Sequence, residues 1–498
     1  VKPKALFAAV LAAAFCLTGC STLPKSITGG GQDTAPPQSS AVSSGPFRFS
    51  LRYSGTDVLN PYTAKTGVNF GLSGLLYEGL TAMDDHMEPQ LSLAASVQAE
   101  DPLHPSAVLR EDALFSDGTA VTAADVAASF ALAKTSAQYA SLLALVESAE
   151  AQDSRTVVFT FSSREPNYLA CLSFPVLKAD SVSDDTPMGS GPYRYKAGDI
   201  PQLESNPYAS AKPNLEPVYL VASEDDSTAV NGLDSGTYSF VYSDLSGGEV
   251  PRTSGANLRV PLNYLVFLGI NAQNSDFAKS GVRLAISAAL SRNTLASAAY
   301  SSWATAAVSP FPAQWTPASA IKGWSAGENI AVAVAHLSDA GYNTEDGDVL
   351  SCRLLVNEDN PFRTAAARSI AEQLSAVGFS VEVEELAFDE YTKRIDRGDY
   401  DLYLGEIRLT EDMSLRPFFA EDGAAARGIA ADSLSKDAYQ KYLAGESTLE
   451  EFVGAFAADM PFVPLCWRQG LAAYDRALGG VNSTAFNAFY DVVNWTTG

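Results

Sequence analysis

This chain has few of the side chains that do chemistry. Its 498 residues include three histidines, His86, His104 and His336, and the first two sit in the loop-like runs DDHM and DPLHP. No HExxH pair occurs, so a catalytic metal held by clustered imidazoles has no support. GxSxG is also absent; the nearest stretch, GLSGL at 71–75, has the wrong spacing for a nucleophile elbow. The five cysteines, Cys16, Cys20, Cys171, Cys352 and Cys466, form no CxxC, which leaves a zinc or redox motif unsupported. The first two belong to the N-terminal segment. The other three are widely spaced, allow at most one disulfide among them, and read most simply as buried free thiols. Positive charge is scarce as well: 33 Lys and Arg stand against 58 Asp and Glu, a formal charge of −25. So acidic a chain repels phosphate backbones and anionic lipid surfaces, and nucleic acid is excluded as a partner. No repeat is present, and no segment beyond the N-terminus is apolar for long enough to span a bilayer. The expectation is a protein without catalytic residues, cofactor or metal site.

The chain does have ample core-forming side chains, 46% hydrophobic and 10% aromatic, and its length suits two or three domains. Lys2 and Lys4 precede the apolar run 5–17, which closes on LTGC. A basic start, a short apolar stretch and small residues describe a secretory signal over residues 1–19. LTGC resembles the bacterial lipobox, which implies cleavage before Cys20 and lipidation of its thiol. Residues 21–46, STLPKSITGGGQDTAPPQSSAVSSGP, carry almost no large apolar side chain and read as a flexible tether. The expected product is a globule anchored by lipid to the extracytoplasmic face of the cell membrane.

Beyond residue 46, strand-like and helix-like patterns alternate, which indicates an α/β fold. FRFSLRY (47–53) alternates with strand period, and residues 60–84 offer a helical stripe carrying Leu72, Leu75, Leu76 and Leu80. FSDGTAVTAADVAASF (115–130) reads as a turn at Asp117-Gly118, a helix capped by Thr122 with Asp125 in its first turn, and a buried stripe of Val126 and Phe130. NYLVFLGIN (263–271) suits a buried strand, SGVRLAISAALSRNTLASAAY (280–300) a single strong helix, and AAARSIAEQLSAVGF a helix stopped by Gly378. YTKRIDRGDYDLYLGE gives helix, turn and strand, and residues 460–481 give a late apolar strand.

The stretch FSDGTAVTAADVAASF closely resembles a signature of the bacterial extracellular solute-binding proteins of the peptide/nickel type, the receptors of ABC importers. Ala120 stands where that signature has proline. DVLNPY, LLYEGL, GSGPYRY, GIN with VRLAISAALSRN, AEQLSAVGFSVEV, GDYDLYLGE and PFVPL match further segments of the family in the same order. The resemblance covers about 430 residues, everything after the tether. It implies a two-lobe periplasmic-binding-protein-like fold, with a ligand cleft between the lobes and hinge strands near Tyr264–Ile270 and Val463–Trp467. Lobe I is expected at 47–262 plus 468–498 and lobe II at 263–467. It also implies a monomeric receptor that captures a peptide or peptide-like solute and delivers it to a permease powered by ATPase subunits. A sensing or pheromone receptor, or a binder of metal chelates, shares the same fold and stays open.

Peptide binders of this kind often carry a W-x-x-D-Y-x-x-P-like stretch whose Asp holds the ligand's α-amino group. Here the corresponding run is GEIRLTEDMSLRPFF (405–419). Ungapped, Glu406 falls on the aromatic and Leu409 on the acid, with Arg408 beside it. Three readings remain open: Asp412 or Glu406 is the amine anchor, Arg408 holds a ligand carboxylate through its planar fork, or the segment is surface. Aromatics supply contact area at low entropic cost. By family position the candidates to line the cleft are Tyr53, Tyr264, Trp303 in its Ser/Ala-rich loop, and Trp467.

Overall fold

The computed structural model describes residues 47–223, 229–343 and 347–498. The secretion signal, Cys20 and the tether lie outside the described residues. Two hydrophobic cores organise the remainder. One gathers Phe49 through Leu220 with Phe240, Val260, Leu262, Ala472 and the C-terminal Phe489, Val492 and Trp495. The other is built chiefly from Leu265 through Leu471. Met87, Ala229, Leu233, Tyr238, Val241 and Leu245 also pack on this second core, so the segment 229–245 touches both.

A single sheet of eleven strands runs through both cores. Its centre is a pair of long antiparallel strands, Ala256–Ile270 and Phe462–Tyr474, which cross from one core to the other. Both strands are nearly continuous apolar runs because protein covers each face for most of their length. On one side Leu402–Arg408 pairs with Ala256–Ile270, followed by the parallel strands Leu350–Asn357 and Phe379–Leu386. The helix Pro361–Ser375 makes the crossover between those two parallel strands. On the other side Phe240–Ser243 pairs with Phe462–Tyr474 and leads to Ser50–Tyr53 and Val218–Ala222. A separate four-stranded sheet, in the order 94–98, 106–109, 156–161, 146–151, completes the first lobe.

Two glycines let the crossing strands carry aromatic rings at full width. Phe267 stands opposite Gly405, and Tyr403 stands opposite Gly269. A Cβ at Gly269 would lie 2.0 Å from the Tyr403 ring, and one at Gly405 would lie 2.5 Å from the Phe267 ring. The two rings meet edge to face at 5.6 Å.

The element 115–130 forms as its residues dictate. Gly118 takes φ +84°, and the helix spans Ala123–Ala133. The Asp125 carboxylate accepts from the Thr122 backbone N–H (2.8 Å) and hydroxyl (2.6 Å), which satisfies the helix start. Val126 and Phe130 are buried.

Two expectations need correction. Leu72, Leu75, Leu76 and Leu80 are all buried, but they do not share one helix. The short helices Gly67–Gly71 and Ser73–Leu76 give way to an extended Tyr77. The backbone at Gly79 presses on Ser173 so closely that a Cβ would lie 2.6 Å from its carbonyl oxygen, and this tertiary packing overrides helical propensity. The helix expected over 280–300 stops at Ala289, with Leu290 extended, and resumes as short turns from Arg292. Arg292 turns inward there, 1% exposed, and donates to the Pro464 carbonyl (2.8 Å) and the Ser287 hydroxyl (2.8 Å). Satisfying a buried guanidinium takes precedence over a regular helical ladder.

Candidate functional site

The crossing strands bring side chains from both lobes to one point. Tyr264 and Arg408 are register partners on adjacent strands, and the Arg408 guanidinium carbon lies 6.0 Å from the centre of the Tyr264 ring. Tyr242 comes from the first lobe, on the strand that pairs with Phe462–Tyr474. Tyr139 arrives from the loop after the capped helix, its ring held by Tyr62 at 5.6 Å. Glu411 follows Arg408 on the loop leaving its strand. Electrostatically these groups form one neighbourhood: Arg408 feels Tyr264, Glu411, Tyr242 and Tyr139.

Arg408 is exposed to water, and Glu411, Tyr242 and Tyr264 are half-exposed. Each nevertheless carries the desolvation of an interior group. Water-reachable groups enclosed by protein define a cleft rather than an outer surface. Enclosure draws the Arg408 pKa down, but the four neighbours outweigh it and hold the guanidinium above its ordinary value. Burial pushes the Tyr264 hydroxyl up to about 12 and raises those of Tyr242 and Tyr139 too, so all three remain protonated donors at neutral pH. Burial likewise raises Glu411, with Arg408 opposing it.

None of these groups is spent on the protein. Among the described residues nothing accepts a hydrogen bond from the Arg408 guanidinium, no carboxylate stands within 4.0 Å of it, and the three tyrosine hydroxyls make no hydrogen bond. Arg408 is exposed, so water solvates the guanidinium and an incoming anionic group can take that water's place. The arrangement can therefore bind an anionic oxygen pair bidentately, with phenolic donors and aromatic faces around it.

Glu406, two residues earlier on the same strand, is committed elsewhere. Its carboxylate accepts from Arg468 Nη1 at 2.6 Å and lies 3.3 Å from Arg363 Nη2. Arg468 also donates to the Asp244 carbonyl, tying the strand end of the first lobe to the second.

Of the residues singled out from sequence, Arg408 and Tyr264 come together in this chamber. Tyr53 lines a different depression of about 250 Å³ with Asp57, Asp185 and Tyr195. Trp303 lies beside the second crossing strand, where its carbonyl accepts from Gln469 N–H (2.9 Å) and Arg259 covers its ring at 4.6 Å. Trp467 is 3% exposed and belongs to the second core. Asp412 is 1% exposed, and one of its oxygens accepts from the Thr410 hydroxyl and Ser414 N–H. The structure thus does not bring Tyr53, Trp303, Trp467 or Asp412 to the open chamber. It adds Tyr139, Tyr242 and Glu411. Glu411 sits in the same quoted run as Arg408, so its nearness was available from sequence; Tyr139 and Tyr242 carried no signal. Cys171, Cys352 and Cys466 are free and buried. Among the described residues the only three-membered group with metal-ligand spacing is Asp84, Asp85 and His86, in an exposed turn.

Residues 88–421 match the family described as bacterial extracellular solute-binding proteins, family 5 Middle. The oligopeptide-binding protein AppA of Bacillus subtilis (strain 168) is 24% identical over 365 residues, covering 66% of this chain and 67% of that protein. The glutathione-binding protein GsiB of Escherichia coli O1:K1 / APEC is 23% identical over 397 residues, 73% and 75% of the two chains. Among solved structures, HbpA2 of Haemophilus parasuis superposes with a TM-score of 0.75 at 17% identity, over 91% of this chain and 100% of that one. That likeness carries the fold: two α/β lobes joined by hinge strands around a cleft. Among the described residues no helix is long and apolar enough to cross a membrane.

Proposed function

The chain belongs to the family 5 bacterial extracellular solute-binding proteins, and from that premise we propose that it captures a peptide-like solute by a free carboxylate in the cleft and delivers it to the permease of an ABC importer. The observation that carries this reading is Arg408, charged, reached by water and without an acceptor in the protein, among three tyrosines. Tyr264 packs against the guanidinium, while Tyr139 and Tyr242 close the chamber from the first lobe. Glu411 stands beside Arg408 to meet a positive group on the same solute. The lobes that close are residues 47–262 with 468–498, and 263–467; the parting of the two cores between Leu262 and Leu265 supports that division, while residues 229–245 pack on both cores. The protein works as a monomer held to the extracytoplasmic face of the membrane by lipid on Cys20, through the tether 21–46.

Thermal unfolding of the chain beginning after Cys20 tests the reading. The panel pairs short peptides with their C-terminal amides and N-blocked forms, and adds amino acids and a nickel–histidine chelate. A solute present at about 100 times its Kd stabilises by about 2.7 kcal/mol. Free carboxylates should raise Tm and their amides should not. Amides as effective as acids, or a panel without effect, would sink the assignment of Arg408 as the anchor.

A further inference from the structure

The lobes meet along a second line of contact, outside the paired hinge strands. From the first lobe, Arg164 Nη1 donates to the Leu443 carbonyl (2.8 Å) and Asn167 Nδ2 to the Asp412 carbonyl (2.8 Å). From the second lobe, Arg416 Nη2 donates to the Ser141 carbonyl (3.2 Å). In the middle of this contact sit two carboxyl groups, one from each lobe. Glu165 is 5% exposed and Asp412 is 1% exposed. Asn167 joins them: its backbone N–H donates to Glu165 Oε1 (3.0 Å) while its side chain holds the Asp412 backbone.

The remaining oxygens are orphaned. Glu165 Oε2 and Asp412 Oδ2 have no hydrogen-bond partner, and neither has Arg416 Nη1. The Arg416 guanidinium stands 3.8 Å from Asp412 Oδ2, too far for a hydrogen bond. Two buried carboxylates with one loosely placed cation between them are unfavourable when both are ionised. A proton on one of them removes the repulsion. The other groups facing the pair are Arg164 on the Glu165 segment, Glu411 on the Asp412 loop, Tyr439 and Tyr442 on the helix Leu434–Ala444, and the buried Cys171 thiol. Among these the acids and cations nearly balance, leaving the carboxyl pair itself unresolved.

We propose that Glu165 and Asp412 form a protonatable latch between the lobes, so that closing the cleft takes up a proton and the closed form is favoured in mild acid. The functional meaning of the latch, tighter retention of solute at lower pH, rests on the receptor reading above. Burial first, and the Asp412 charge second, raise Glu165 to about 8 in the closed form, against Asn167, Arg416 and Arg164, which lower it. With the lobes apart the carboxyl returns to water and its ordinary value of 4.5. Below that value both forms hold the proton and closure does not depend on pH. As pH climbs from about 4.5 towards about 8, closure must draw a proton from solution and weakens by up to about tenfold per pH unit, then levels off.

Spin labels on the exposed positions Ala144→Cys and Glu446→Cys, one in each lobe, read the separation by pulsed dipolar spectroscopy without any solute. In the chain beginning after Cys20 the remaining thiols, Cys171, Cys352 and Cys466, are buried and do not compete for label. The closed population should fall as pH rises from about 5 to about 8 and then level off. In Glu165→Gln, which keeps the shape without the charge, it should stay constant, while Asp412→Asn, which leaves the burial of Glu165 in place, should shift the transition to lower pH without abolishing it. A separation independent of pH in the parent, or a Glu165→Gln protein that still opens with pH, would overturn the latch. Because the readout needs no solute, that failure is distinct from failure of the receptor reading, which shows only in the binding panel.

Discussion

Replacing Glu406 with alanine should weaken the junction between the lobes more than any loss of a surface ion pair. The Glu406 side chain is 8% exposed and sits between Arg468, 2% exposed, and Arg363, 17% exposed. At the observed 2.6 and 3.3 Å, and an effective dielectric constant of about 20, the two attractions are worth about 6 and about 5 kcal/mol before desolvation. Desolvation of three charges offsets most of that gain, and the net loss on breaking such a cluster from one side is about 3–5 kcal/mol. The variant is left with two enclosed guanidinium groups that repel each other. Urea unfolding followed by tryptophan fluorescence measures the change, with Trp467 adjacent to Arg468 as a reporter. The Glu406→Ala, Arg468→Met double variant should recover about 1–2 kcal/mol relative to simple addition, because it no longer strands a fully buried charge. A cost below about 1 kcal/mol for Glu406→Ala, or strictly additive losses in the double variant, would refute the reasoning.

Two further outcomes follow from packing and capping. Phe462→Ala should cost about 3–5 kcal/mol, since that ring is 1% exposed, stacks on Phe418 at 3.9 Å and meets Phe456 edge-on at 4.9 Å; the urea midpoint reads the loss. Thr122→Ala removes the hydroxyl from the capping box and should cost about 1 kcal/mol in the same assay, while Thr122→Ser should restore most of it.

The fold was legible where the physics is local. The turn at Gly118, the Thr122 cap and the strand period of residues 47–53 depend only on near neighbours. The alternation of strands and helices then fixed the α/β class, and collinear motifs supplied the two-lobe arrangement. Local reading failed where distant packing overrode it, as at Gly79 against Ser173 and at the inward turn of Arg292.

The site was half legible for the same reason. Arg408 stood out as a cation beside the position where an acid was expected, and Tyr264 lies on the strand that pairs with it. Tyr139 and Tyr242 reach Arg408 from segments more than a hundred residues before it in the chain. Trp467, a candidate by family position, is 3% exposed and packs in the second core, and the pairing of the two long strands there shifts register between Pro261 and Leu265 and again at Val266 and Phe267. One such shift moves a side chain from one face of the sheet to the other, so alternation along the sequence cannot tell cleft from core there.

The most direct test is calorimetric titration of a binding peptide and its C-terminal amide into the parent protein and Arg408→Gln. The account predicts that the parent prefers the acid by about 10–100-fold, as a charge-assisted bidentate pair requires. It also predicts that Arg408→Gln, with unchanged urea stability, binds acid and amide alike. An amide bound as tightly as its acid by the parent, or a preference that survives the substitution, would contradict it.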